Sequence, residues 1–309
     1  MKINRKTAGI MAVISLACAV LGPVNVQADS KADLNKPYIA LGADLNQQER
    51  ATVLELLDVT EDELKDYTVA TVTNGMEHEY LDAYLSASVI GSRALSSVKV
   101  IGKKDGYGIK VQTKNISYCT TGMYQNALVT AGMKNADVTV AGPFNISGTA
   151  ALVGAMEAYE NMTGDVIQPD NVEAATNELV VTSELGEVIG DQDKAEELIG
   201  AVKDIIVAEE IQDPELIEEK VSETADKLEV SLSEEDKQQI VELMQKIADL
   251  DLDIDSLKQQ AKELYDKLGS LGVDLNISKT DVDGFFAKMG TSAKELWDSI
   301  KDFFAGLFN

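Results

Sequence analysis

The chain has 309 residues and a formal net charge of −26, with 27 lysines and arginines against 53 aspartates and glutamates. This length is enough for about two domains. Such an acidic surface excludes nucleic acid and anionic lipid as general partners, because phosphate recognition needs clusters of Lys and Arg. It allows at most weak, delocalised binding of divalent cations, so no metal site and no other cofactor is expected.

The N-terminus has the pattern of a secretory signal peptide. A basic start precedes an apolar stretch over residues 8–24, and Ala28 completes the small-residue pattern at which a signal peptidase cuts. Ser15 stands where a lipoprotein leader carries a large aliphatic residue before Cys18, so lipid anchoring is not favoured. We expect a protein that begins near residue 29, is secreted or extracytoplasmic, and has no transmembrane span after cleavage.

Residues 29–168 mix helical and strand-like patterns and predict a small α/β domain. In chain order, the patterns predict a helix at 47–57, a capping box at 60–63, a strand at 67–73, a helix at 76–85, strands at 98–101 and 108–112, a helix at 119–131, a strand at 137–141 and a helix at 148–159. The turn residues at 103–106 predict a hairpin between the two middle strands. The βαββαβ order predicts a split βαβ sandwich with flanking helices.

Residues 169–309 predict an acidic helical bundle, with 13 lysines against 35 aspartates and glutamates and no arginine. Apolar stripes at 195–206 and 240–247 have helical spacing, and a 4-3 spacing from Leu257 to Leu271 is typical of coiled-coil-like packing. The fold class expected is therefore α+β. Its three parts are a signal peptide (1–28), an α/β domain (29–168) and an acidic helical domain (169–309).

Two C-terminal segments admit a functional and a structural interpretation. The run at 249–255 resembles a calcium loop, but it lacks the mid-loop glycine and the closing glutamate, so a helix joint with Asp caps is favoured. The helix at 296–308 carries a broad apolar face with the sole tryptophan, Trp297. Docking onto the chain's own bundle is favoured over a partner protein or a membrane surface, because its polar face is not basic.

The candidate site residues lie at two junctions where a strand gives way to a helix. Cys119 stands at the first junction, where a helix N-terminus favours a thiolate, and His78 is the only histidine that could activate it. A buried structural cysteine and a surface histidine are the favoured alternative. The catalytic residues stay unknown, and the ligand-binding candidates are Asn115, Tyr118, Cys119, Tyr124, Asn126, Ser147, Gly148 and Thr149.

The segments around both junctions resemble those of a known family. The motifs at 115–120, 123–128 and 143–152, with the leader, the mixed N-terminal region and the acidic helical C-terminal region, are similar to the YpuA-like family of secreted bacterial proteins. That resemblance implies secretion and a two-part layout. The family has no assigned biochemical function, so it transfers no catalytic residue.

These observations favour a non-enzymatic extracytoplasmic protein that binds a component of the cell wall or an envelope protein. The scarcity of histidine and arginine supports this hypothesis, since hydrolytic and phosphoryl-transfer chemistry often depends on them. The alternative is a secreted hydrolase that uses Cys119 or acidic residues.

Overall fold

The computed structural model describes residues 36–253, 256, 257 and 260, and within them the fold is mixed α/β with one five-stranded sheet. The strands are β1 (Tyr38–Gly42), β2 (Thr68–Val72), β3 (Ser97–Gly102), β4 (Ile109–Ile116) and β5 (Ala136–Ile146). The helices are α1 (Gln47–Leu56), α2 (Asn74–Leu81), α3 (Ala87–Ile90), α4 (Thr121–Thr130), α5 (Thr149–Thr163), α6 (Pro169–Ile189), α7 (Gln192–Ala208), α8 (Pro214–Lys227) and α9 (Glu234–Ala248), with a 3₁₀ helix at Glu61–Asp66. The leader, the 4-3 spacing beyond Leu257 and the helix at 296–308 lie outside the described residues.

The helix starts follow the sequence closely. The side chain of Asn46 accepts hydrogen bonds from the backbone of Gln48 and Glu49, and the Glu49 carboxylate accepts the Asn46 backbone N–H. Thr60 and Glu63 form the capping box that the sequence predicts at 60–63. Each box satisfies backbone donors that a helix N-terminus leaves without a partner, which is why local sequence is enough to locate it.

The strand order in the sheet is β2-β1-β3-β5-β4. β1 pairs in parallel with β2 and β4 in parallel with β5, whereas β3 is antiparallel to both of its neighbours. Four strands therefore run in one direction and only β3 in the other. The βαββαβ order is present from β2 to β5, but β1 precedes it. The sequence pattern does not predict β1, because all five of its residues are buried and show no alternation.

The predicted hairpin between residues 98–101 and 108–112 is wrong, because β5 lies between β3 and β4. Asn135, which precedes β5, is hydrogen-bonded to the segment that connects β3 to β4. Its backbone oxygen accepts the Lys103 N–H at 2.7 Å, and its side-chain oxygen accepts the N–H groups of Tyr107 and Gly108 at 2.9 and 3.1 Å. The turn residues at 103–106 therefore pass the beginning of β5 instead of joining two neighbouring strands. The predicted split βαβ pairing is replaced by two pairs of adjacent parallel strands, β1 with β2 and β4 with β5.

The two faces of the sheet are covered by different helices. On one face Ile39 and Leu41 pack beneath Val53, Leu54 and Leu57 of the α1 region. The opposite face packs against α5 and α4, and its buried residues belong to one large hydrophobic cluster. Alternation along each strand directs successive side chains to the two faces, so both are anchored by apolar residues.

The helices after residue 168 bury the stripes that their sequences predict. Buried positions at 195–206 and 240–247 confirm the helical spacing read there. Asp253 accepts a hydrogen bond from the Ser256 backbone at 2.8 Å and pairs with Lys134 at 2.6 Å, in agreement with a capped joint. The division at residues 168/169 into two domains stays a prediction.

Candidate functional site

An open cleft of about 360 Å³ lies at the edge of the sheet where β4 and β5 end and β3 begins. Because β1, β2, β4 and β5 are parallel to one another, their carboxyl ends share this edge. In open α/β sheets, ligands bind outside the carboxyl ends of the strands. The cleft is lined by Glu77, Ser88, Val89, Ile90, Gly91, Ser92, Arg93, Leu95, Ser96, Ser117, Tyr118, Ile146, Ser147 and Thr149.

Glu77 of α2 forms the inner end of a chain of polar groups. It is 1% exposed, and burial raises the pKa of its carboxyl group. Its two carboxylate oxygens accept hydrogen bonds from the Thr149 hydroxyl at 2.7 Å and from the Asn74 amide at 3.3 Å. The Thr149 hydroxyl also lies 3.3 Å from that of Ser147, so Ser147 and Thr149 connect the cleft to the buried carboxyl group of Glu77.

Two further serines fix the strand ends around the cleft. The hydroxyl of Ser96 accepts the Ala151 N–H at 3.0 Å and so attaches the first turn of α5 to the beginning of β3. The exposed Ser117 donates to the carbonyl of Ile146 at 3.1 Å, and its backbone N–H donates to the same carbonyl at 2.9 Å. These bonds hold the ends of β4 and β5 side by side at the cleft.

Tyr118 and Arg93 supply the aromatic and the cationic groups of the lining. Tyr118 is half-buried, and burial raises the pKa of its hydroxyl to about 12. The Arg93 guanidinium donates to the backbone carbonyl of Asp44 at 2.7 Å and pairs with Glu49 at 2.6 Å. The charge of Arg93 is therefore already balanced by the carboxylate of Glu49 in the first turn of α1.

Cys119 does not have the environment of a reactive thiol. It is 1% exposed, and burial raises the pKa of its thiol to about 12, so desolvation outweighs the stabilisation that a helix N-terminus gives a thiolate. Its side chain is hydrogen-bonded to the Tyr124 hydroxyl. The imidazole of His78 is instead hydrogen-bonded to the Asp82 carboxylate at 2.6 Å. The Cys–His pair considered from the sequence is therefore not supported by these contacts.

The eight ligand-binding candidates separate into three groups. Tyr118, Ser147 and Thr149 line the cleft. Cys119, Tyr124 and Gly148 lie buried behind it, where the Tyr124 hydroxyl donates to the carbonyl of Gly148. A Cβ on Gly148 would stand 2.5 Å from the Tyr124 oxygen, and its φ of +99° also favours glycine, so this residue has a structural reason to be glycine.

Asn115 and Asn126 have roles other than lining the cleft. Asn115 adopts a positive φ of 58° at the irregularity in β4, and its amide donates to the carbonyl of Gly142 at 3.1 Å. Asn126 is buried on α4, and its amide donates to the backbone carbonyl of Glu196 in α7 at 3.2 Å. The motif at 115–120 therefore supplies a strand irregularity, and the motif at 123–128 supplies a contact between helices.

Sequence reasoning missed Glu77 and Ser96. Glu77 lies four residues before the buried Leu81 on the inner face of α2, and a carboxylate at an apolar helical position is the signal that could have identified it. Ser96 carried no comparable signal, because its role depends on α5 packing against the beginning of β3. No cluster of His, Cys, Asp and Glu that could hold a metal ion occurs among the described residues.

A second group of buried charges connects α4, α6 and α7. Lys203 is fully buried, lies 2.8 Å from Glu178, and donates to the Asn126 carbonyl at 3.0 Å and to the Thr130 hydroxyl at 3.2 Å. Asp204 is 7% exposed, and neither of its carboxylate oxygens has a hydrogen-bond partner among the residues that the structure describes. Burial raises the pKa of Asp204 to about 8 despite the nearby Lys203, so this carboxyl group is mainly neutral at pH 7.

The comparisons with known proteins agree with the resemblance seen in the sequence. Across the part that the structure describes, no helix is long and apolar enough to cross a membrane. No solved structure matches the chain. It is 41% identical over 241 residues to the "Uncharacterized protein YpuA" of Bacillus subtilis (strain 168), an alignment that covers 78% of this chain and 77% of that protein. Residues 41–264 match the family described as "Protein of unknown function (DUF1002)", and the chain belongs to that family.

Proposed function

We propose that the protein is a non-enzymatic, extracytoplasmic binding protein of the cell envelope, and that the cleft is its recognition site. The observation that carries this proposal is the position of the cleft, at the sheet edge shared by the carboxyl ends of four parallel strands. The leader pattern supports an extracytoplasmic location. The acidic helices after residue 168 would then act as a spacer or as a second interaction surface.

A hydrolase has less support than a binding protein. Cys119 is buried with a raised thiol pKa, and Glu77 is 1% exposed, with its carboxyl group hydrogen-bonded to Thr149 and Asn74. A general base has to lie within hydrogen-bond reach of the substrate proton, and a side chain this buried is poorly accessible to a substrate. The bonds of Glu77 instead fix Thr149 and Asn74, which is the arrangement expected of a residue that shapes a binding site.

The location is tested by cell fractionation and N-terminal sequencing of the protein from its native host. We expect the protein in the medium or the envelope fraction, beginning near residue 29. Recovery of the intact leader on cytoplasmic protein would contradict the extracytoplasmic part of the proposal.

The cleft is tested by co-sedimentation of the purified protein with isolated cell walls, using Ser117→Trp to fill it. Ser117 is exposed at the cleft, so an indole there should occupy the site without disturbing the core. Gln112→Trp is the matched control, because Gln112 is an exposed residue of β4, the strand that ends just before Ser117, and lies outside the cleft. We expect wild type and Gln112→Trp to pellet with walls and Ser117→Trp to remain in solution.

Calcium provides a second arm of the same experiment. Pelleting that needs calcium and is equal in all three proteins would move the binding function to the acidic surface. Absence of pelleting under either condition would refute wall binding, and an envelope protein would then be sought as the partner.

A further inference from the structure

The chemical character of the cleft narrows the class of ligand that it can take. Charged side chains in the lining are limited to Glu77 and Arg93, and all of the lining residues belong to the described part of the chain. Glu77 is buried with both oxygens hydrogen-bonded, and the exposed Arg93 is paired with Glu49. A charged ligand group would therefore meet one buried carboxyl group and one guanidinium group that already has a carboxylate partner, so its loss of hydration would be poorly compensated.

The remaining polar groups of the cleft are hydroxyls. They belong to Ser88, Ser92, Ser96, Ser117, Tyr118, Ser147 and Thr149. Thr149 and Ser117 already donate to Glu77 and to the Ile146 carbonyl, but a hydroxyl oxygen that donates can still accept a hydrogen bond from a ligand. A lining of this kind is complementary to a ligand that is itself rich in uncharged hydroxyl or amide groups.

The apolar groups of the cleft complete the pattern. Tyr118 presents a half-buried aromatic side chain, and Ile90, Leu95 and Ile146 add aliphatic surface. A sugar ring carries hydroxyls around its periphery and C–H groups on its faces, so it matches a lining that combines hydroxyls with one aromatic side chain. A volume of about 360 Å³ is near the lower end of the range for ligand pockets, which suits one or two sugar rings.

From these features we infer that the cleft binds an uncharged saccharide unit, with Tyr118 as its apolar platform and the hydroxyls of Ser117 and Ser147 among its polar contacts. This inference rests on the proposed function and specifies the ligand of the same site. The acidic surface of the chain agrees with it, because the net charge of −26 repels anionic polymers at long range but leaves a neutral sugar unaffected.

The experiment is a calorimetric titration of the full-length secreted protein with four small probes. The probes are chitotriose, which is neutral; its de-N-acetylated form, which is cationic; trigalacturonate, which is anionic; and D-alanyl-D-alanine, which is zwitterionic. We expect binding of chitotriose alone, an affinity loss of about tenfold or more in Ser117→Trp, and an affinity within about twofold of wild type in Gln112→Trp. Circular dichroism and urea unfolding establish that both variants are folded.

Tyr118→Phe separates the role of the ring from that of the hydroxyl. Because the phenyl ring keeps the apolar surface, we expect this variant to retain chitotriose binding within about fivefold. Tighter binding of a charged probe or of the dipeptide would overturn the saccharide assignment. Wall binding that Ser117→Trp abolishes and that chitotriose neither reproduces nor competes with would also overturn it, while leaving recognition of walls by the cleft intact.

Discussion

Replacing Asp204 with asparagine should stabilise the protein in a way that depends on pH. Asp204 is buried, neither carboxylate oxygen has a hydrogen-bond partner in the described part of the chain, and burial raises its pKa from 3.8 to about 8. In the unfolded chain the same group ionises near pH 4. Between these two values the folded state binds the extra proton, so the free energy of unfolding falls as the pH rises, at about 1.4 kcal/mol per pH unit.

The size of the effect follows from the interval over which the folded state alone is protonated. From pH 4 to pH 7 Asp204 ionises in the unfolded chain and stays protonated in the folded state, which lowers the free energy of unfolding by roughly 4 kcal/mol. Asparagine does not ionise, and its amide is as poorly hydrogen-bonded as the neutral acid. The stability gain of Asp204→Asn should therefore be near zero at pH 4 and reach a few kcal/mol at pH 7.

Urea unfolding followed by circular dichroism at pH 4.5, 6.0 and 7.5 measures this difference. Asp251→Asn is the control, because it makes the same chemical change at an exposed position. Parallel pH profiles for wild type and Asp204→Asn would refute the assignment of Asp204 as a buried neutral acid.

Three further predictions concern the buried residues Cys119, Lys203 and Gly154. Cys119 should resist iodoacetamide in the folded protein at pH 8 and react on unfolding in urea, since burial raises its thiol pKa to about 12; rapid labelling of the native protein would contradict its structural role. Lys203→Met should lower the free energy of unfolding by about 3–5 kcal/mol in urea titrations, because it leaves the Glu178 carboxylate buried without its cation; a loss below 1 kcal/mol would contradict a stabilising role for this ion pair. Gly154→Ala should also destabilise, since the added methyl group would stand 2.8 Å from the Cβ of Ala40 and overpacking of about 1–3 kcal/mol exceeds the gain in helix propensity of about 1 kcal/mol; a raised unfolding midpoint would contradict this close contact of α5 with the sheet.

The candidate site shows how far residue patterns reach and where they fail. Both strand-to-helix junctions were identified from local signals, and three of the residues chosen there, Tyr118, Ser147 and Thr149, line the cleft. The other five lie behind the cleft, at a strand irregularity or between helices. The sequence identifies a junction because caps and turns are local, but it does not say which side chains face outwards.

The sequence by itself determined the features that depend on neighbours along the chain. Capping boxes at Asn46 and Thr60, the apolar stripes of α7 and α9 and the order of elements from β2 to β5 all follow from local hydrogen bonding or from periodic burial. Family membership follows from the sequence as well.

Only the tertiary structure decided which strands are adjacent and what meets at their ends. The position of β5 between β3 and β4 rests on backbone pairing with both strands, and Asn135 adds hydrogen bonds to Tyr107 and Gly108; these partners are distant in sequence, so no local pattern encodes them. The contact of Glu77 with Thr149 joins residues 72 positions apart, and burial at that contact raises the pKa of the carboxyl group. Such properties depend on the dielectric environment and the partners that folding brings together, so they are absent from the sequence until the chain is packed.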